Sequence, residues 1–341
     1  MSASLARLFR IAARFLRFAA LPAVLALSGL PAQALAGAPI RIGTVVWVGY
    51  GPFYVADVLG MFKKAGLNVE LKMFADPVEI PPAIAGGALQ GGMVTYNQVL
   101  PQVEKGQMQK VVLPIDYSYG ADAIVVNRSV ARIADFKGKK IGLVQLSPSD
   151  ILLAYAMRKN GLAESDVTLI NMAPDAVPPA MLGGQLAVGV TWEPMLSQIL
   201  AAKGGKEFRV IYSSKDAPGV ITDVLVFDEK FIQSNPKDIQ TLLKVYLQAL
   251  AYVKSKPDEA AKIIAKVMSI TPREVKEQMP LVRNLQPADI AKAFAKSDEP
   301  LSFFGSGPLI GEILKARGEI KAVPPIESTL EPQFAAAVMG K

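Results

Sequence analysis

Two segments of the chain repeat each other, and this repetition limits the possible folds more than any other feature. Residues 81–92 (PPAIAGGALQGG) and 178–189 (PPAMLGGQLAVG) align without a gap. Each holds a proline pair suited to the first turn of a helix and a glycine pair suited to its end. Each then runs into an apolar segment and a polar, aromatic corner, at 95–97 and at 191–194. We therefore predict two structurally equivalent lobes; the alternative is a chance likeness between two joints rich in Gly and Pro.

A second informative stretch is 43–56, which predicts a buried strand, a glycine-rich corner and a helix starting at Pro52. Open α/β sheets bind ligands at such strand-to-helix corners, because free backbone N–H groups point outward there. Gly49 and Gly51 would let a ligand approach the main chain. The alternative is that these glycines only form a tight turn and that Trp47 belongs to the core.

The first 36 residues differ from the rest of the chain. They carry four arginines and no acidic residue, then an apolar stretch and the sequence Ala34-Leu35-Ala36. This order is typical of a secretory signal peptide, so we assign 1–36 to a signal peptide and expect a periplasmic protein. A retained amphipathic anchor is the alternative.

Charge and composition exclude several classes of function. The formal net charge of +7 falls to +3 without the four leader arginines, so the basic balance does not indicate a nucleic-acid partner. The chain contains neither Cys nor His. Disulfides, thiolate metal sites, a Ser-His-Asp triad and the usual zinc sites are thereby excluded, and we expect no metal, no cofactor and no catalytic residue. Enzymes that use only carboxylates, Lys or Tyr stay open.

The predicted fold class is α/β, with two lobes, a ligand cleft between them and two hinge crossovers. The turn-rich stretch 127–140 suits a crossing between lobes, and an apolar strand near 222 could return. We therefore assign 37–126 to the first part of lobe I, 127–221 to lobe II, and 222–341 to the completion of lobe I with C-terminal helices.

If the lobes face each other, four corners at strand ends converge on the cleft: 47–52, 95–97 together with 116–118, 145–149, and 191–194. Both tryptophans of the chain fall in these corners. Trp, Tyr, Asn, Gln and carboxylates together are typical of a small-molecule site. The candidate ligand-binding residues are Trp47, Tyr50, Gly51, Thr95, Asn97, Asp116, Ser118, Gln145, Ser147, Trp192, Glu193 and Asp223.

The charges of these corners bear on the ligand. Asp116, Glu193 and Asp223 are acidic, and the corners contain no Lys or Arg, which favours a neutral, zwitterionic or amine-bearing ligand. Ser147 and Ser149 at a helix start could hold an oxyanion, and a zwitterion would satisfy both. The sequence spacing of Asp116 and Glu193 does not establish a catalytic pair.

Four motifs then carry a resemblance to a known family. They are W-x-x-Y-x-P-x-Y-x-A from Trp47, G-x-F-x-x-x-G-L-x-V from Gly60, D-x-S-x-G-A-D from Asp116, and W-E-P from Trp192. In this order, and over nearly all of the mature chain, the sequence resembles the periplasmic substrate-binding proteins of nitrate-, sulfonate- and taurine-type ABC importers, relatives of proteins that bind thiamine pyrimidine precursors.

The resemblance implies a type II periplasmic-binding fold that closes on a ligand and performs no chemistry. It implies a monomer that captures a small polar molecule, such as a sulfonate, taurine, nitrate, an amide, urea or a pyrimidine, and delivers it to a membrane permease. A periplasmic ligand-sensing module, or a carboxylate-using periplasmic enzyme, is the alternative.

Overall fold

The computed structural model of the chain describes residues 38–339. The predicted signal peptide at 1–36 lies outside the described residues. Within the described residues the chain forms eleven strands, in chain order β1 (Ile40–Thr44), β2 (Val69–Met73), β3 (Gly91–Thr95), β4 (Gln109–Ser118), β5 (Asp122–Asn127), β6 (Lys140–Leu143), β7 (Thr168–Asn171), β8 (Val188–Trp192), β9 (Phe208–Ser213), β10 (Thr222–Asp228) and β11 (Val282–Asn284).

Helices separate most of the strands and cover the sheets. The α-helices of the same residues are α1 (Gly51–Val58), α2 (Met61–Lys64), α3 (Ile80–Ala85), α4 (Tyr96–Glu104), α5 (Pro148–Lys159), α6 (Val177–Leu182), α7 (Met195–Ala201), α8 (Glu229–Ser234), α9 (Pro236–Ser255), α10 (Pro257–Met268), α11 (Pro272–Gln278), α12 (Pro287–Phe294), α13 (Phe303–Ala316) and α14 (Gln333–Val338). Among the described helices, none is long and apolar enough to cross a membrane.

The strands form two sheets with one shared topology. The larger sheet has the order β11-β4-β10-β3-β1-β2, and the smaller has the order β9-β5-β8-β6-β7 when read in the matching direction. In each, three neighbouring strands are parallel and the next two alternate: β10 runs antiparallel to β3 and β4, as β5 does to β8 and β9. The two-lobe α/β fold predicted from the repeat is therefore confirmed.

The repeated segments occupy equivalent places in the two sheets. Each forms a helix, α3 or α6, followed by a Gly-Gly turn and a central strand, β3 or β8. The second glycine of each pair, Gly87 and Gly184, has a φ of +74°, a left-handed value that most side chains avoid. The glycine pairs therefore serve the same backbone conformation in both lobes.

The boundary between the lobes differs from the predicted one. Strand β5 was assigned to lobe I, yet Ala123 pairs with Ser213 and Val126 with Val188, so it belongs to the smaller sheet. The chain crosses in the three residues between β4 and β5, and the predicted crossing at 127–140 is wrong. A short apolar strand can fill a central position in either sheet, so its sequence does not reveal its partner.

The second crossing leads from β9 to β10, and β10 joins the larger sheet at Thr222. The C-terminal region is mainly helical, but it also adds the edge strand β11 beside β4. Helix α9 packs on α1, where the rings of Phe53 and Tyr246 lie 4.8 Å apart. The Tyr246 hydroxyl donates to the Ile115 carbonyl at 3.2 Å, which ties this helix to β4.

We predict that Gly92→Ala lowers the free energy of unfolding by about 1–3 kcal/mol, because a buried core resists an added methyl group. A Cβ at Gly92 would overlap Ile80 of α3, which is fully buried. Gly86→Ala is the matched control, since Gly86 has a helical φ of −79° and its added Cβ would meet only the Pro82 carbonyl, at 3.4 Å. Urea unfolding of both variants measures the difference; equal losses would contradict the packing argument.

Candidate ligand-binding site

A small cavity of about 30 Å³ lies between the two sheets. Its walls come from both lobes, because residues next to β1, β3 and β10 face residues next to β5, α5 and β8. Five of the predicted site residues line it: Trp47, Tyr50, Thr95, Trp192 and Asp223. Both tryptophans of the chain therefore border the same small cavity.

The corner after β1 owes its shape to a close approach at Gly49. A Cβ at this position would overlap the Asp116 carboxylate and the indole nitrogen of Trp47. Without it, the indole N–H donates to the two Asp116 oxygens at 3.3 and 3.4 Å. Behind the corner, the Tyr54 hydroxyl donates to the Val45 carbonyl at 2.6 Å. Gly49 is thus required so that Trp47 can reach the carboxylate.

Asp116 and Asp223 lie opposite each other in the larger sheet, where β4 pairs with β10. Both are buried, and their carboxyl groups are hydrogen-bonded to each other. The Tyr50 hydroxyl donates to Asp223 at 2.5 Å. One proton between the two carboxyl groups allows that hydrogen bond and limits their mutual repulsion.

Asp122, at the start of β5, is a third buried acid and lines the cavity. Its carboxyl group is hydrogen-bonded to Ser118, but Oδ2 has no hydrogen-bond partner among the described residues. Two buried hydroxyl oxygens share this lack of a partner in the described part of the chain: those of Ser149 and Thr191, which follow and precede lining residues in the sequence. Within residues 38–339, these three polar atoms are thus left without a hydrogen-bond partner.

Burial dominates the acid–base properties of these groups. Desolvation raises the pKa of Asp116 to about 8, against the lowering effect of hydrogen bonds from Trp47 and Asp223. It raises the pKa of Asp122 to about 7, with a hydrogen bond from Ser118 opposing the rise and the charge of Glu193 adding to it. The pKa of Asp223 is also raised, first by burial and then by the charge of Asp116.

Three of the other predicted residues serve the backbone and do not line the cavity. Gly51 begins α1, and a Cβ there would meet Ile264 of α10 at 2.6 Å. Ser147 is the N-cap of α5: its hydroxyl donates to the Val144 carbonyl at 2.7 Å and accepts from the Ser149 N–H at 3.1 Å. The Glu193 carboxylate accepts from the N–H and hydroxyl of Ser197 at 3.1 and 2.9 Å.

The remaining four lie around the cavity. Asp116 stands behind Trp47, and Ser118 is hydrogen-bonded to Ser214 at 2.7 Å, at the crossovers. Asn97 borders a neighbouring depression, and its amide donates to the Leu146 carbonyl at 3.2 Å. Gln145 borders a further depression on the other side of Leu146.

Sequence reasoning missed several lining residues. Asp122 belongs to the motif that starts at Asp116, and an acid at the head of an apolar strand was the available signal. Gln98 sits at the third position of α4, where its amide oxygen accepts from the Thr95 N–H at 3.2 Å and its amide nitrogen donates to the Pro77 carbonyl at 3.2 Å. The other missed residues are Val45, Pro77, Val94, Pro148 and Ile221.

No group of three or more His, Cys, Asp or Glu residues within 38–339 is arranged to hold a metal ion.

Comparison with known proteins agrees with this architecture. The family model described as NMT1/THI5 like matches residues 47–260, well over half of the chain. The chain belongs to the NMT1/THI5-like family. The resemblance of the sequence motifs to this family of binding proteins is thereby confirmed.

Relatives of this NMT1/THI5-like chain include a Brucella abortus chain named as a binding protein, which is 24% identical over 79% of this chain and 84% of its own length. The solved periplasmic aliphatic sulphonate binding protein from Escherichia coli superposes with a TM-score of 0.69 and 17% identity, over 86% of this chain and 92% of that one. A ligand-binding component of an ABC-type import system from Staphylococcus aureus superposes with a TM-score of 0.70 and 14% identity, over 88% and 98%. These structures confirm the periplasmic-binding fold.

We predict that stability depends on pH through Asp122. Its pKa is about 7 in the folded protein, above the value of about 3.9 typical of an unfolded chain. The folded form therefore binds more protons between these values, and the free energy of unfolding contributed by Asp122 falls as pH rises from about 4 to about 7. Asp122→Asn removes this titration. As pH rises through that window, the free energy of unfolding of the variant should therefore increase relative to that of the wild type, by up to ~1.4 kcal/mol per pH unit.

Urea unfolding at half-unit steps from pH 4.5 to 8 measures this difference. Asp175→Asn serves as the control, because Asp175 is exposed, at the surface beside α6. Parallel stability curves for the wild type and Asp122→Asn would contradict the raised pKa.

Proposed function

We propose that this chain is the periplasmic substrate-binding component of an ABC importer, which captures a small polar solute and delivers it to a membrane permease. The observation that carries the proposal is the cavity between two topologically equivalent sheets, bordered by both tryptophans. The names of its relatives and structural neighbours support the same role. A lining of aromatic and apolar side chains with a few polar groups is typical of small-molecule sites.

The proposed mechanism is closure of the lobes around the solute. Two crossovers join the lobes, and hydrogen bonds connect one crossover to the other. The Ser118 and Ser214 hydroxyls lie 2.7 Å apart, and the Gly120 N–H donates to the Ser214 oxygen at 2.6 Å. Neighbouring short connections of this kind allow a hinge, and a solute that contacts both lobes stabilises the closed form by its differential affinity.

Contacts away from the crossovers hold the lobes together. Arg317, directly after α13, forms ion pairs with Asp150 of α5 at 2.6 Å and with Glu164 at 3.3 Å. Asp150 also accepts from the Leu146 N–H at 2.8 Å, while the Leu146 carbonyl accepts from Asn97 of α4. Since α13 packs on α4 through Phe303 and Tyr96, these contacts join the helices of the larger sheet to those of the smaller.

The hydrogen bonds of the two buried carboxyl groups favour binding over catalysis. The carboxyl groups of Asp116 and Asp223 already share hydrogen bonds with each other, with Trp47 and with Tyr50. A general base or nucleophile has to be free to reach the reacting atom. We therefore propose that the chain returns its solute unchanged and acts as a monomer with its permease.

A fluorescence screen tests the function directly, because the only two tryptophans of the chain border the cavity. Taurine, alkanesulfonates, nitrate, urea, amides, pyrimidines and riboflavin are added in turn to the protein without residues 1–36. The proposal predicts a saturable change in emission with one of them, together with a rise in Tm. Mass spectrometry of the recovered solute then separates binding from turnover, and a converted solute would refute a pure binding role.

We predict that Trp192→Ala weakens binding of the solute found in this screen by at least ~1–2 kcal/mol, because it removes aromatic contact area from the cavity wall. Calorimetry measures the change in affinity. Tyr155→Ala is the control, since Tyr155 lies on the same lobe but outside the cavity, where its ring contacts Lys159. An unchanged affinity in Trp192→Ala would remove this residue from the site.

We also predict that Arg317→Gln raises the Kd about tenfold, because the closed form loses its ion pairs while the cavity lining keeps every residue. Arg158→Gln, an exposed change on α5, should leave the Kd within about twofold. A double-mutant cycle with Asp150→Asn isolates the pairwise contribution. Small-angle scattering at saturating solute gives the second measurement: an unchanged Kd and unchanged radius of gyration would exclude a closing role for Arg317.

A further inference from the structure

The charge of the cavity restricts which solute it can hold. Asp122 and Asp223 line it, and Asp116 is hydrogen-bonded to both Asp223 and Trp47 directly behind the wall. All three carboxyl groups are nearly or fully buried, with side chains exposed by at most 3%. Within the described part of the chain, the lining contains no Lys or Arg. The site thus gathers three acids without a protein cation.

The groups that do contact these acids are neutral. Trp47 donates to Asp116 and Tyr50 to Asp223, while Ser118 is hydrogen-bonded to Asp122. These bonds leave Oδ2 of Asp122, a residue of the cavity lining, without a hydrogen-bond partner among the described residues. A buried acceptor without a donor is unfavourable, so a hydrogen-bond donor from the solute would stabilise this atom.

The other titratable groups around the cluster do not supply a positive charge. Tyr50 precedes α1 and Tyr54 lies within it, Tyr246 comes from α9, and Glu193 follows β8. Each is a phenol or a further carboxyl group. Buried carboxylates in proteins are normally paired with a cation or a metal, so the missing partner has to come from the occupant of the cavity.

We infer that the solute presents a protonated nitrogen group, such as an ammonium, an amidinium or a protonated ring nitrogen, to Asp122 and Asp223. This inference rests on the proposed binding function and names the class of solute. Trp47 and Trp192 in the cavity lining add a second argument, because a planar cation is stabilised by contact with aromatic side chains. The Asp122 Oδ2 atom is the acceptor that the cation completes.

The competing possibility is an anion bound by protonated carboxyl groups. Burial raises the pKa of Asp116 to about 8 and that of Asp122 to about 7, so both can carry protons in the empty site near neutral pH. The two possibilities have opposite pH dependences. A cation displaces protons and binds more tightly as pH rises, by up to about tenfold per pH unit for each proton released; an anion binds more weakly as pH rises.

Three flat probes of matched shape separate these cases: benzamidinium (a cation), benzamide (neutral) and benzoate (an anion). Their Kd values are measured by calorimetry and tryptophan fluorescence from pH 6 to 8.5. We expect benzamidinium to bind at least tenfold more tightly than benzoate, with affinity increasing between pH 6 and 7.5. Calorimetry in two buffers of different ionisation enthalpy should show proton release.

Variants connect the preference to the named residue. Asp122→Asn keeps the size of the side chain and should weaken benzamidinium by at least tenfold, while benzamide changes by less than about threefold. Asp175→Asn, at an exposed position, should change neither. Thermal unfolding of both variants checks that they fold.

Failure of the inference differs from failure of the proposed function. Benzoate binding as tightly as benzamidinium, affinity for benzamidinium that falls with pH, or no benzamidinium binding at 10 mM would each overturn the inference. In each of these cases the binding function stands if benzoate, or any anionic or neutral solute of the fluorescence screen, binds in the cavity. Loss of all binding, including in that screen, would count against both.

Discussion

The structure depends on two carboxyl groups held opposite each other in the interior. Asp116 and Asp223 meet where β4 pairs with β10, the strand by which the chain returns from the smaller sheet. Their burial is tolerated because they share a hydrogen bond and receive donors from Trp47 and Tyr50. The corner after β1 has to come close enough to supply those donors, and Gly49 allows that approach. One polar network therefore joins β1, β4 and β10 and shapes one wall of the cavity.

The arrangement of the crossings explains why this wall faces a second lobe. In each sheet the central antiparallel strand, β10 or β5, is the one by which the chain arrives from the other sheet. Both crossovers therefore lie at the same end of their lobes. They lead into β5 and β10 next to Asp122 and Asp223. A solute between the lobes would lie close to the hinge, where small rotations bring the far contacts of Arg317 and Asn97 together. The contacts of Arg317 and Asn97 are therefore at positions separate from Asp122 and Asp223.

The sequence alone predicted much of this architecture, through features with a local cause. The paired prolines and glycines of the repeat have the same backbone conformation in both lobes, as Gly87 and Gly184 illustrate. Trp47 and Trp192 could both be assigned to corners at strand ends, since each follows an apolar run. The partner of β5 could not be predicted in this way. Its residues fit either sheet, and only the pairing of Ala123 with Ser213 decides between them.

The candidate site shows the same division. The sequence determined which residue types stand at the strand ends, the lack of Cys and His, and the acidic character of the corners, because each of these is a property of the chain itself. Only the tertiary structure decided that Thr95, Asp122 and Trp192 border one cavity, and that Oδ2 of Asp122 has no hydrogen-bond partner among the described residues. The reason is physical: a polar side chain acts on a solute only if the fold leaves it without a partner, and hydrogen bonds to distant segments cannot be counted along a sequence.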